Sequence, residues 1–216
     1  MVGNMIQKLI YGYHLILRNE GNMIIKFFPG SNRHKLKFEY EVHKAFGFLI
    51  EEYKCKCVSS DVTIVRYESD KIKINIYHGK GSYELGFQIA LKNRKSEGEE
   101  LFFSLKEIID YYEGCDFKPF QTSTEAGVQK FVPIMAELVK KYALEGIKGD
   151  ENFFINLSKN RTKWFTKYMI DMVRPEAEKA WKDKDYNRYI ELMGEYENQL
   201  LPSEKKKIEF IRKRIR

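Results

Sequence analysis

Lys71 to Leu91 leaves the chain few ways to fold. Ile72, Ile74 and Ile76 alternate with Lys71, Lys73, Asn75 and Tyr77; Tyr83, Leu85, Phe87, Ile89 and Leu91 then alternate with Glu84 and Gln88. A period of two with apolar residues on one side predicts half-buried strands. Glu68-Ser69-Asp70 and Gly79-Lys80-Gly81 supply the turns, because glycine tolerates positive φ and Ser and Asp bond to nearby backbone. Val62–Tyr67 is apolar at Thr63, Ile64 and Val65. This predicts a strand near the sheet centre, covered on both faces.

A one-sided sheet needs a lid. Leu36–Tyr53 carries Phe38, Val42, Ala45, Phe46 and Leu49 at helical spacing, so one helix on the sheet is expected, the α+β arrangement. Tyr53–Ser59 is expected as the first strand. Upstream, Leu9–Leu17 and Met23–Phe28 flank a turn and predict a hairpin, with Met23 an alternative start. Ser104 is placed to cap a helix to Tyr112. Phe117–Gln121, with Pro119, is the expected boundary between an α+β domain (1–118) and a helical one (119–216) with a basic last helix.

Beyond it the period is helical throughout. Thr122-x-x-Glu125 matches a capping box, and Val128 to Tyr142 follows, with a kink or restart expected at Pro133 and a stop at Gly146 and Gly149. Asp150 is placed to cap a helix to about Val173, whose buried stripe is expected to be Phe153, Phe154, Leu157, Trp164, Phe165, Tyr168, Met169 and Met172. Pro175 is read as the start of a separate short helix. Tyr186 to Leu200 continues helically, and Pro202-Ser203 opens the last helix.

The chain has 216 residues and a net charge of +7, but residues 203–216 carry seven cations against two acids, leaving +2 for everything else. The basic character belongs to the tail, where Lys205, Lys206, Arg212, Lys213 and Arg214 are candidate contacts. Ile208, Ile211 and Ile215 give that tail a narrow apolar stripe, so a docked helix is favoured over a free arm. No uncharged apolar run approaches the length of a bilayer span, and no signal peptide is read. Three cysteines, Cys55, Cys57 and Cys115, suit a reducing cytoplasm better than a disulfide framework.

The open face of the sheet, Lys71, Lys73, Tyr77 and Glu84, is the candidate binding face. As a platform it would stack bases on rings and meet phosphates with lysines; as a solvated face it needs no ligand, and that is the favoured reading. Cys55 and Cys57, expected on one strand face, would need Cys115 and His43 to hold a metal, and buried thiols are the simpler reading. Asp110, Glu113 and Asp116 form an acidic group read as surface. There is no phosphate loop, nucleophile elbow, metalloprotease helix or dinucleotide fingerprint. The expectation is a chain without catalytic, cofactor or metal site.

Val65-Arg66-Tyr67-Glu68-Ser69, Ile72 to Ile76, Ser82-Tyr83-Glu84-Leu85 and Leu105-x-x-Ile108-Ile109 resemble a group of small, Lys-rich bacterial proteins similar to the immunity proteins of polymorphic toxin systems. The resemblance covers about residues 38–112, and Ala180 to Arg214 is similar to endings in such proteins. It implies a cytoplasmic protein that blocks a toxin by occupying its surface. Immunity proteins to basic nuclease toxins are commonly acidic, and this chain is basic, so the implied partner is neutral or acidic. A nucleic-acid partner, bound by the sheet face and the tail, is the alternative.

Overall fold

The structure, a computed structural model, describes residues 33–92, 95–96 and 99–214. The N-terminal hairpin and the Met23 start lie outside them. A 3₁₀ turn (Arg33–Leu36) passes through Lys37, at φ 52°, into helix α1 (Phe38–Ala45) and then a single turn, α2 (Phe48–Glu51). The continuous helix expected over Leu36–Tyr53 is therefore broken at Phe46-Gly47. In an unbroken helix Phe46 and Phe48 would point about 200° apart. The break lets both enter one core, their rings stacked 5.9 Å apart.

The meander forms as read. Strands β1 (Lys56–Asp61), β2 (Ile64–Glu68), β3 (Ile72–His78) and β4 (Glu84–Leu91) are antiparallel neighbours in that order. Ile72, Ile74 and Ile76 are fully buried, which contributes about 2 kcal/mol each. Ile76 faces Phe87 and Ile74 faces Ile89 across β3 and β4. Strand β2 is not covered on both sides: Val65 and Tyr67 are buried while Arg66 is exposed. Its neighbour β1 is the sheet edge, exposed along most of its length and bulged between Cys57 and Ser59.

A short hairpin, β5 (Lys95–Ser96) with β6 (Glu99–Glu100), precedes β7 (Phe103–Ser104), which pairs with β4. Helix α3 (Leu105–Glu113) starts at the predicted Ser104, in a full capping box with Glu107. Strand β8 (Phe120–Gln121) pairs with the far end of β4. Helix α4 (Glu125–Tyr142) is capped by Thr124, not Thr122; the Thr122 hydroxyl accepts from the Thr124 N–H instead. No restart occurs at Pro133. That residue is exposed, so the carbonyl it leaves without a partner can turn to water.

A single turn, α5 (Leu144–Ile147), and Gly149 at φ 76° lead into α6 (Glu151–Lys182), capped by Asp150. Helix α6 runs 32 residues, through Pro175 and past the expected stop; Pro175 is exposed like Pro133. Helix α7 (Tyr186–Met193), a 3₁₀ stretch (Gly194–Gln199) and α8 (Pro202–Arg214) complete the described chain.

The lid is several helices rather than one: residues of α1, α3, α4 and the start of α6 share one core with the inner sheet face. That core does not end at residue 118 but continues through Leu157. A second core, Ile170, Ala177, Ala180, Tyr189, Met193, Leu200, Ile208 and Ile211, ties the last helices together. Among the described residues, no helix is long and apolar enough to cross a membrane.

Candidate functional site: the middle of helix α6

Helix α6 belongs to both cores but offers them different faces. Phe153, Phe154 and Leu157 enter the first, Ile170, Ala177 and Ala180 the second. At about 100° per residue, Ala180 lies half a turn round the axis from Phe153, and Ala177 nearly so from Leu157. From residue 158 to 169 no side chain is buried. Arg161 marks where the helix leaves the first core: its Nε donates to Glu107 Oε1 at 2.6 Å, its Nη2 donates to the Phe102 carbonyl at 2.5 Å, and its guanidinium lies 4.2 Å from the Phe103 ring centroid.

Beyond Arg161 the face that carried the first core continues without a cover among the described residues. Trp164 and Tyr168 lie within about 20° of Leu157 round the axis. Trp164 is 63%, Tyr168 40% and Met172 62% exposed, and the first two rings stack 5.6 Å apart at 8°. Phe165 and Met169, expected in the core, are only half-buried. The stripe predicted as buried from Phe153 to Met172 is thus buried only at its start. The period is right; the covering elements end before it does. Aromatic rings and methionine presented in a row on a rigid helix are residue types that dominate protein interfaces.

The predicted sheet face is differently employed. Lys73 is ion-paired with Glu100, and Lys71 lays its methylenes against Gly149. The Tyr77 hydroxyl donates to Glu84 Oε1 at 3.1 Å. Its ring covers Gly86, where an added Cβ would come within 2.1 Å of it. Burial, then the Glu84 carboxylate, hold the Tyr77 hydroxyl well above the usual phenol range. A half-open cavity of about 270 Å³ lies here, lined by Arg66, Glu68, Lys73, Asn75, Glu100 and Phe102. Glu68 is paired with Lys92.

The basic tail is docked, as favoured. Ile208 and Ile211 are fully buried. Arg212 donates twice to Glu197, at 2.8 and 2.7 Å; Lys205 donates to the Asn198 carbonyl; Arg214 lies over Phe210, 4.6 Å from its centroid. Lys206 and Lys213 are exposed. Lys207 is paired with Glu178 at 2.6 Å and lies 5.1 Å from the Trp181 ring.

Cys55 is buried and Cys57 exposed, so the expected shared face is not realised: Cys55 precedes β1 and turns into the core. Burial pushes the Cys55 thiol up, the direction of an inert group. Among the described residues no three His, Cys, Asp or Glu side chains converge as metal ligands would. The acidic group serves structure: Asp110 accepts from the Phe117 N–H, Asp116 lies between Lys106 and Lys118, and Glu113 accepts from Tyr142.

Sequence reasoning missed a Ser–His contact, assembled only by folding. His43 Nε2 is 3.0 Å from Ser60 Oγ, His43 Nδ1 is 3.1 Å from the Tyr67 hydroxyl, and Ser60 Oγ is 3.4 Å from Glu39 Oε2. The Tyr67 hydroxyl is held neutral by burial, and donating to Nδ1 satisfies it. Nε2–H then donates to Ser60, which donates to Glu39. The relay hands the histidine a proton to give rather than a lone pair to take one, the reverse of an activated nucleophile.

Comparison with protein-family models, curated proteins and solved structures found no match to this chain.

Proposed function

We propose that this chain is a non-catalytic protein-binding module whose contact surface is the exposed Trp164–Tyr168–Met172 face of α6. The observation that carries the proposal is the continuation of the first core's face along α6 beyond the residues that cover it. Large apolar groups left on a rigid helix cost hydration free energy in the free protein that a partner recovers. Toxin neutralisation by surface occupation, the role the sequence resemblance implies, is the specific form we assign to it, with a neutral or acidic partner. The three free cysteines support a reducing compartment, and the cytoplasm is where we place it.

Affinity isolation from the native host at physiological salt, with the full chain and with Trp164→Ser/Tyr168→Ser side by side, tests this. The expected result is a protein partner held by the parent and lost from the variant, with the far-UV spectrum and melting temperature of both chains alike. A partner that binds both equally, or no protein partner at all, overturns it.

A further inference from the structure

His78 closes β3 with its ring almost wholly buried, at 1% exposure. Its surroundings fix its tautomer. Nε2 lies 2.8 Å from the Thr122 carbonyl oxygen, which can only accept, so Nε2 carries the hydrogen. Nδ1 is then a lone pair, and Arg33 Nη1 donates to it at 3.1 Å. The Arg33 guanidinium also donates to the carbonyls of His78 at 3.3 Å, Gly79 at 3.0 Å and Lys80 at 2.5 Å, and lies 4.8 Å from the Tyr83 ring centroid. Phe38 stacks on the imidazole from α1 at 5.7 Å. One buried cation thus gathers the β3–β4 turn, held by three carbonyls and one neutral imidazole.

We propose that Arg33 and His78 form a pH-operated latch that holds the 3₁₀ turn Arg33–Leu36 on the β3–β4 turn when neutral and releases it in acid. A proton on Nδ1 removes the acceptor, turns an N–H against an N–H, and sets two cations in contact away from water. Thr122 still holds Nε2–H, so the ring stays and the guanidinium leaves. The ionisable residues on the packing elements are Arg33, His34 and Lys35 of the 3₁₀ turn, then Lys37, then Glu39, Tyr40, Glu41, His43 and Lys44 of α1, Lys80, Tyr83 and Glu84 about the β3–β4 turn, and Glu125 in the first turn of α4. Lys37 and Glu125 are paired with each other at 2.7 Å. Burial lowers the His78 imidazole most; the backbone of Thr122 and Tyr83 pulls the other way, the Arg33 charge adds to burial, and the balance holds the ring below its ordinary range. Opening therefore falls on the acid side of the usual histidine midpoint.

Hydrogen exchange of the full chain, corrected for intrinsic rates, tests the latch at pH 7.5 and pH 5. Amides of residues 33–37 and 79–83 are expected to lose about tenfold of their protection at the lower pH, the equivalent of one pKa unit of coupling, while β3 itself stays protected. His78→Gln keeps an acceptor for Arg33 and a donor for Thr122 but does not titrate, so the same segments should stay protected at pH 5. Equal loss in the parent and the Gln variant overturns the latch, and so does a parent that protects both segments alike at both pH values. Should His78→Gln not fold, Arg33→Gln serves instead. There the His78 ring, followed by its nitrogen resonances, is expected to titrate at higher pH than in the parent, and an unmoved midpoint refutes the coupling.

Discussion

Arg161 and Glu107 meet through a carboxylate that does two things at once. Glu107 Oε2 accepts from the backbone N–H and the hydroxyl of Ser104, 2.9 Å each, closing the capping box of α3, while Oε1 takes the Arg161 Nε at 2.6 Å. The start of one helix is thereby fastened to the departure point of another. Arg161→Ala removes this bond, the bond to the Phe102 carbonyl and the contact with Phe103. It is expected to cost about 2 kcal/mol after allowance for the half-open site, read as a lowered urea midpoint. Arg161→Lys should recover less than half, because one ammonium cannot reproduce a planar fork. Unchanged midpoints would show that α6 is held by Phe153, Phe154 and Leu157 alone.

Gly86 exists to be covered. Tyr77 sits directly opposite it across β3 and β4, and its ring occupies the space a side chain would need. Gly86→Ala is expected to destabilise by about 1–3 kcal/mol, the range for overpacking. Combining it with Tyr77→Ala should cost less than the sum of the two single changes, because the clash is shared. Thermal melts of the four proteins decide it.

Tyr189 carries a buried hydroxyl with no hydrogen-bond partner among the described residues. Burial, with the carboxylates of Glu204 and Glu178, pushes its titration up to about 12, so it is a neutral group left unsatisfied. Removing an orphaned polar atom relieves its desolvation penalty. Tyr189→Phe is expected to leave stability unchanged or raise it by up to about 1 kcal/mol. A loss of more than that would reveal a water-bridged role for the hydroxyl.

Glu204 is 4% exposed and accepts from Arg174 Nε at 2.7 Å and from the Leu201 N–H at 2.8 Å. Burial alone would raise its pKa; the bonds from Arg174 and Leu201 outweigh it and hold the carboxyl below its ordinary range. A depressed carboxylate contributes stability that is present above its unfolded pKa and is lost as pH falls through the folded one. Melting of the second core is therefore expected to weaken below about pH 4.5, and Glu204→Gln should flatten that dependence while lowering stability at neutral pH. Near-UV dichroism of Trp181, which packs against that core, follows it.

How much of this was legible in the residues divides along one line. The meander and the Ser104 cap follow from alternation and local hydrogen bonding, and Ile72–Ile76 could be placed without knowing their cover. Breaks set by packing could not: nothing in Leu36–Tyr53 signals that Phe46 and Phe48 must share a core, and nothing at Pro133 or Pro175 signals that exposure makes the missing bond harmless. The α6 face was half legible. Spacing identified Trp164, Tyr168 and Met172 as one stripe with Leu157, yet periodicity reports which residues share a face and not how far the neighbouring elements extend. A usable signal was present: Ile170, Val173, Ala177 and Ala180 fall on the opposite side from Leu157, and one helix with two opposed stripes must have its partners on two sides. The Arg33–His78 contact joins residues 45 apart and had no local trace.

Because α6 passes from one core to the other on opposite sides, the orientation of the last three helices is written in a residue count. Inserting one residue between Arg161 and Trp164 would advance them by about 1.5 Å and swing them about 100° round the axis, with both cores intact. Eleven inserted residues would nearly restore the angle but set the assemblies about 16 Å farther apart. The stretch works as a ruler and a protractor together, so a partner that touches both ends should tolerate substitution along it far better than any change in its length.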